Sequence, residues 1–200
     1  MSLTPHSSRS QIVTVTEVIE ETALAKSFVF DAEWDYRPGQ FVTVRVPSER
    51  TGSVARSYSL YTSPFDDAKP GVTVKRTVDG YASNWLCDNI AVGDELEVLP
   101  PSGVFVPESL DVPLLLLAAG SGITPVMGML RSHDLSGSDV VLLHSAPAPA
   151  DVIFAAELAD ARPLGGKGRR ARGDGRRCGP VRGGLPRHPA DRASRIRRPR

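Results

Sequence analysis

The hydrophobic pattern changes period partway along this 200-residue chain, and that change restricts the fold more than any other feature. Before about residue 110, apolar residues alternate with polar ones. Phe28 and Phe30 share a face, as do Val42, Val44 and Val46; Val72 with Val74 and Leu96 with Val98 follow. Thr43, Arg45, Thr73, Lys75, Glu95 and Glu97 occupy positions between or beside them. Side chains on a strand point alternately to two faces, so these sets read as half-buried antiparallel strands. Turn signals at Pro38-Gly39, Ser63-Pro64, Pro70-Gly71, Val92-Gly93 and Pro100-Pro101 separate them. Many short strands between turns predict a small closed or nearly closed β-barrel, with one helix near 82–89 carrying Trp85 and Leu86.

After residue 110 the alternation is lost. Pro113 to Ala118 is almost continuously apolar, the composition of a strand buried on both faces of a parallel sheet. Gly120-Ser121-Gly122-Ile123-Thr124-Pro125 follows and predicts a Gly-rich turn, then a helix from Pro125 with Thr124 as its N-cap. Val140 to Leu143 reads as a second strand, and 151–161 as a second helix with Phe154 and Leu158 on one face. That βαβα order is the start of an open doubly wound sheet.

The last 39 residues, 162–200, differ again. They hold 14 of the 24 Lys and Arg but only 2 of the 23 Asp and Glu, leaving 10 basic against 21 acidic residues before them. Of the 39, 29 are Arg, Gly, Pro or Ala, and none is aromatic. Such a segment buries too little apolar surface to offset the entropy of ordering it, so a disordered tail is expected. Abundant Arg, Gly, Pro and Ala is also the composition of GC-rich DNA read out of phase, so we expect residues past about 161 to come from a shifted frame. The expected organisation is a barrel domain over 10–110, a partial α/β domain over 111–161 and a basic tail over 162–200.

Candidate chemistry falls in three places. In an extended Arg56-Ser57-Tyr58-Ser59, Arg56 and Tyr58 project from one face. A guanidinium beside an aromatic ring suits a ligand with both a diphosphate and a flat ring, such as FAD. Arg56 supplies a charge-assisted contact, Tyr58 a stacking surface, and Ser59 a hydroxyl for the ring edge. Gly80-Tyr81-Ala82-Ser83 opens the short helix, where unsatisfied N–H groups favour an anion; Gly80 permits close approach and Ser83 adds a hydroxyl. Gly120, Ser121 and Gly122 lie between a buried strand and a helix, the context in which such a turn binds a dinucleotide diphosphate, with Pro125 where a third glycine is usual. From 132 to 161 the candidate cations are His133 and His144, against Asp134, Asp139, Asp151, Glu157 and Asp160. A 2′-phosphate calls for a cation, so NADH is favoured over NADPH. A single His at a strand end, such as His144, can line the cofactor cleft but is more often an ordinary loop residue, and His133, just past the first helix, is read as the latter.

Cys87 and Cys178 are the two cysteines of the chain, too few for a disulfide framework and without zinc-ligand spacing. Cys87 reads as a small buried residue. Residues 1–10 lack the apolar run of a secretion signal, and the apolar stretch from Val112 to Ala119 is too short to span a bilayer, so a cytoplasmic protein is expected.

Five stretches together resemble one family: Arg37-Pro38-Gly39-Gln40-Phe41, Ser53 to Leu60, Val72-Thr73-Val74-Lys75-Arg76, Gly80 to Leu86, and Ala118 to Pro125. They are similar to the ferredoxin-reductase-like, FAD-dependent reductases of multicomponent oxygenases, among them the reductase components of 3-ketosteroid 9α-hydroxylases, over roughly Ser10 to Ala161. The resemblance implies transfer of a hydride from NADH to FAD, then of single electrons to a plant-type [2Fe–2S] centre and an oxygenase. It implies that Arg56, Ser57, Tyr58 and Ser59 hold FAD, that Val74, Lys75 and Arg76 lie along it, and that Gly80, Tyr81, Ala82 and Ser83 bind its diphosphate. Gly120, Ser121, Gly122, Thr124 and Pro125 would hold NADH, with Ser59 and Thr124 at the reacting rings. A plant-type cluster needs four cysteines, which this chain lacks, so the iron–sulfur acceptor belongs to a partner. The family also has a Cys-Gly-Pro turn after an apolar strand; Cys178-Gly179-Pro180 follows Arg176-Arg177 instead, and reads as coincidence. Two other readings compete: a flavin-binding module without NADH turnover, and a basic tail that binds polyanions non-specifically through charge.

Overall fold

In the computed structural model, which describes residues 9–65, 68–132, 140–160 and 181–182, the alternating sets form one sheet. Its strands are β1 (Gln11–Thr22), β2 (Ala25–Asp31), β3 (Phe41–Ser48), β4 (Gly52–Ser59), β5 (Gly71–Lys75) and β6 (Glu95–Ser102). They pair antiparallel in the order β4-β3-β6-β1-β2-β5. The sheet curls so that Val13, Val15, Phe28, Phe30, Val42, Val44, Val46, Val72, Val74, Leu96 and Val98 meet in one buried cluster. β1 is the strand the alternation does not announce, because its buried residues, Val13 and Val15, are confined to its first half.

The predicted barrel is therefore a curled six-stranded sheet with an open seam. Its edge strands β4 and β5 are not laddered together; one isolated bridge, Leu60 to Val72, joins the chain just past β4 to β5. Helix α1 (Tyr81–Asn89) closes part of the core with Ala82, Leu86 and Cys87. The Cys87 thiol approaches the Val74 carbonyl at 3.7 Å, and burial pushes its pKa up, leaving it an inert core group.

The second lobe departs from expectation in three ways. Strands β7 (Leu114–Ala119) and β8 (Val140–Ser145) are parallel and in register, and β9 (Val181–Arg182) adds to β8 antiparallel. However, β7 is half-buried on one face and open on the other, with Leu115 and Leu117 64% and 67% exposed. Helix α2 (Ile123–Ser132) packs against the half-buried face, and among the described residues no helix covers the open one. Second, α2 starts two residues before Pro125, continuous with a 3₁₀ turn at Gly120–Gly122. Thr124 thus lies within the first helical turn, and its hydroxyl donates back to the Ser121 carbonyl at 3.0 Å instead of capping. Third, the second helix shrinks to α3 (Ala155–Asp160), because Pro149–Asp151 forms a separate 3₁₀ turn and Phe154 takes a left-handed φ of +61°. The expectations for His133, for Cys178-Gly179-Pro180 and for a disordered tail lie outside the described residues, except that Val181 and Arg182 form β9.

The lobes share a core. Ala25 and Tyr61 of the first lobe cluster with Ile123, Val126, Met127, Leu130, Val140, Leu142, Ile153 and Phe154 of the second. Gly128 brings α2 against the first lobe's backbone: a Cβ there would lie 2.8 Å from the Leu60 carbonyl oxygen.

Candidate functional site

The open seam makes the site. Tyr58, Arg56 and Val54 pair with Val42, Val44 and Val46, whose side chains are core, so the three share the inner face of the sheet. Because β4 is an edge strand, that face is uncovered there. A cavity of about 1150 Å³ opens over the seam and is continued by the start of α1 and by the Gly-rich turn. Arg56, Ser57, Tyr58, Ser59 and Lys75 line it from the strands, Gly80, Tyr81, Ala82 and Ser83 from α1, and Ser121, Gly122, Thr124 and Pro125 from the second lobe. Residues from three separate stretches of the sequence thus line one cavity.

Several of these groups are already engaged. The Arg56 guanidinium donates to its own neighbour, the Ala55 carbonyl, at 2.8 Å and is otherwise exposed. Burial, reinforced by Cys87 and opposed by Arg56, pushes the Tyr58 phenol up to about 12, so Tyr58 stays neutral through the physiological range. The Tyr81 hydroxyl donates to the Pro47 carbonyl at 2.6 Å and ties α1 to β3. The Ser83 hydroxyl oxygen accepts from the Thr77 amide at 3.1 Å and its proton points to the Gly80 carbonyl, so it braces the loop that precedes α1. Ser57 pairs with Thr43 on the other face of the strand.

Three predicted residues do not line the cavity. The Val74 side chain is fully buried in the sheet core. Arg76 turns away to Asp88, Nη2 to Oδ1 2.6 Å. Gly120 sits behind the rim at φ +50°, a conformation glycine adopts without strain, and Lys75 Nζ lies 3.7 Å from where its Cβ would be. Lys75 therefore spans the gap between the first lobe and the turn. Sequence reading missed Ser48, Glu49, Arg50, Val54, Thr73, Thr77 and Asp79. The signal available for one of them is charge: Arg50 joins the predicted Arg56 and Lys75 as a cation on the wall. His144 is buried at the end of β8, its Nε2 3.3 Å from the Gly120 carbonyl oxygen; it holds the turn from behind instead of lining the cleft.

Residues 10–106 match the model of the oxidoreductase FAD-binding domain. The chain belongs to the ferredoxin-reductase-like FAD-binding oxidoreductases. It is 59% identical over 161 residues to the ferredoxin reductase component of 3-ketosteroid-9-alpha-monooxygenase from Rhodococcus rhodochrous, covering 77% of this chain and 46% of that protein. It is 39% identical over 156 residues to a glycine betaine monooxygenase reductase subunit from Pseudomonas aeruginosa, covering 74% of this chain and 42% of that one. The chain thus spans a little under half the length of these relatives. Among solved structures, the FAD/NAD binding domain of a Vibrio cholerae nitric oxide dioxygenase aligns with a TM-score of 0.66 at 30% identity, over 74% of this chain and 68% of that one. Phthalate dioxygenase reductase, described as a modular structure for electron transfer from pyridine nucleotides to [2Fe–2S], aligns with a TM-score of 0.67 at 25% identity, over 75% and 48%.

For an FAD-binding oxidoreductase the cavity has the right features. Its volume of about 1150 Å³ lies just above the ~300–1,000 Å³ typical of small-ligand sites. A Cβ at Gly80 would fall 2.8 Å from both Ser83 Oγ and Thr77 Cβ, so glycine is required where the chain turns into α1. No side chain caps that helix start, whose residues Gly80 to Ser83 line the cavity, and uncapped helix starts favour anions. The family's Arg37-Pro38-Gly39-Gln40 run has a structural task instead: Gln40 Oε1 accepts from the Arg37 amide at 2.8 Å and its Nε2 donates to the Gly103 carbonyl at 3.1 Å.

Proposed function

We propose that this chain is the flavin and partial nicotinamide module of an electron-transfer reductase, taking a hydride from NADH and delivering electrons to an iron–sulfur centre of an oxygenase system. The observation that carries the proposal is the cavity itself, shared by the strand wall of the first lobe and the Gly-rich turn of the second. Bound FAD would supply the conversion of a two-electron hydride donor into one-electron steps. Arg56 and the uncapped start of α1 would hold a diphosphate, Tyr58 would shield one face of a flat ring, and Ser59 would offer a hydroxyl at its edge. Lys75 would place positive charge between the two ligands. Thr124, on the rim of the second lobe, would orient the nicotinamide. The acidic balance of 132–161, with His133 and His144 its candidate cations, favours NADH. An iron–sulfur acceptor is in keeping with the printed names of a ferredoxin reductase component and of a reductase that passes electrons to [2Fe–2S]. A cytoplasmic setting is part of the same reading.

A second reading, flavin binding without NADH turnover, draws on the uncovered face of β7 and β8, where Leu115, Leu117 and Leu143 are exposed. The anaerobic visible spectrum of protein loaded with FAD, before and after NADH, separates the two. Bleaching is expected on the first reading. Bound flavin that stays oxidised overturns it and leaves the second.

A further inference from the structure

Thr124, Gly128 and Arg131 stand four and three residues apart, so they form one stripe along α2. That stripe lies on the chain directly after the strand wall. Gly128 abuts the Leu60 carbonyl, and Arg131 Nη1 donates to the Tyr61 carbonyl at 3.3 Å. The Arg131 guanidinium also lies 4.8 Å from the centre of the Tyr61 ring and 5.4 Å from that of Phe154. Its Nε donates to Glu157 Oε1 at 3.1 Å and its Nη2 to Oε2, a two-point grip on α3. One side chain therefore joins α2, α3 and the first lobe.

The contact is closed from the other side as well. The Phe154 amide donates to Glu21 Oε2 at 3.3 Å, and Glu21 Oε1 accepts from Ser27 at 2.7 Å. Phe154 needs such support, because φ +61° in a bulky residue costs free energy that its surroundings must offset. Its ring packs 5.2 Å from that of Tyr61. Arg131 stands seven residues past Thr124, roughly 10 Å along the helix axis. Segment 58–61 and helix α2 thus carry the reactive groups at one end and the clamp at the other.

We propose that Arg131 is a positioning residue: by seating α2 on Tyr61 and α3, it fixes Thr124 and the Gly-rich turn opposite Tyr58 and Ser59. The proposal rests on the hydride-transfer reading above, and its test has two independent readouts. The variants are Arg131→Met, which keeps the aliphatic stem, and Glu157→Gln, which keeps the shape of the partner. In flavin-free protein, amide hydrogen exchange over 123–132 and 153–160 is expected to quicken in both variants, with the strands of the first lobe unchanged. In FAD-loaded protein, bleaching at saturating NADH is expected to slow by up to about 10²-fold in Arg131→Met, as for a roughly 1 Å misplacement, while FAD and NADH affinities stay near native. Arg131→Lys should recover part of the rate, since it restores charge without the planar fork. Native exchange in Arg131→Met overturns the clamp. Faster exchange with an undiminished rate overturns the positioning role. Faster exchange in the variants with no bleaching of the native protein overturns the hydride-transfer reading and leaves Arg131 as a docking clamp.

Discussion

The two buried clusters of this molecule are built differently. The first is the inside of one curled sheet plus α1, and every residue in it comes from the first lobe. The second contains α2, β8 and the turn before α3, but it is completed by Ala25 and Tyr61 of the first lobe. The first lobe is held together from within, whereas the second is held together by docking. The sheets show the same contrast: away from β4 the curled sheet buries its inner face, and β7 leaves Leu115 and Leu117 in the open. Order in the second lobe should therefore depend on the first, and the reverse should not hold.

The strongest test deletes volume from each cluster. Phe30→Ala in the first cluster should cost about 3–5 kcal/mol and abolish FAD binding together with the cooperative fold. Ile153→Ala should cost about 2–5 kcal/mol, confined to the second lobe, with FAD still bound and strand amides still protected. Denaturant unfolding with hydrogen exchange reads both. Loss of first-lobe protection in Ile153→Ala would mean that the lobes fold as one unit. Gly128→Val is the next largest, about 1–3 kcal/mol, because the new side chain meets the Leu60 backbone 2.8 Å from its Cβ. It should separate the lobes, abolishing NADH-driven bleaching while sparing FAD affinity by flavin fluorescence titration.

The contrast explains what the sequence discloses. Val42, Val44 and Val46 announce a strand because burial follows a period of two, and all three are core. Leu114 to Leu117 carry no such period, so an unbroken apolar run looks like a doubly buried strand even when one face is bare. The Gly-rich turn is legible because its glycines and Pro125 act locally. Phe154 is not: its left-handed backbone is set by Tyr61, Glu21 and Arg131, all distant in sequence. In the same way Arg56 and Tyr58 are readable from strand alternation, but the turning of Arg76 toward Asp88 depends on where α1 lands.

A smaller effect sharpens the picture at the turn. The Gly120 carbonyl can only accept, so the proton of neutral His144 sits on Nε2, and Nδ1 is buried without a partner among the described residues. Burial lowers the pKa of His144 below its ordinary 6.5, with the Gly120 bond opposing. The unfolded chain then takes up this proton at a higher pH than the folded one. The stability held by neutral His144 is full above about 6.5 and is lost as pH falls through the lower folded value. Melting temperature should fall between pH 8 and 5.5, and less so in His144→Asn. Parallel curves for the two proteins would remove His144 as the cause.

The smallest effect bears on the bare face. Leu142 and Leu143 are neighbours on β8, so they point to opposite faces; the first is 3% exposed and the second 40%. Leu142→Gln puts an amide among Val126, Met127 and Ile153 and should destabilise by about 1–3 kcal/mol, from the cost of a buried polar group without a partner. Leu143→Gln should change stability by no more than about 0.5 kcal/mol, since its side chain already meets water. The pair is read from one denaturant titration each. If Leu143→Gln proves as damaging as its neighbour, something covers that face in solution, and the second lobe is more complete than its docking core implies. If it is neutral, Leu115, Leu117 and Leu143 form an exposed apolar surface, and the same substitution should raise solubility without touching the cleft.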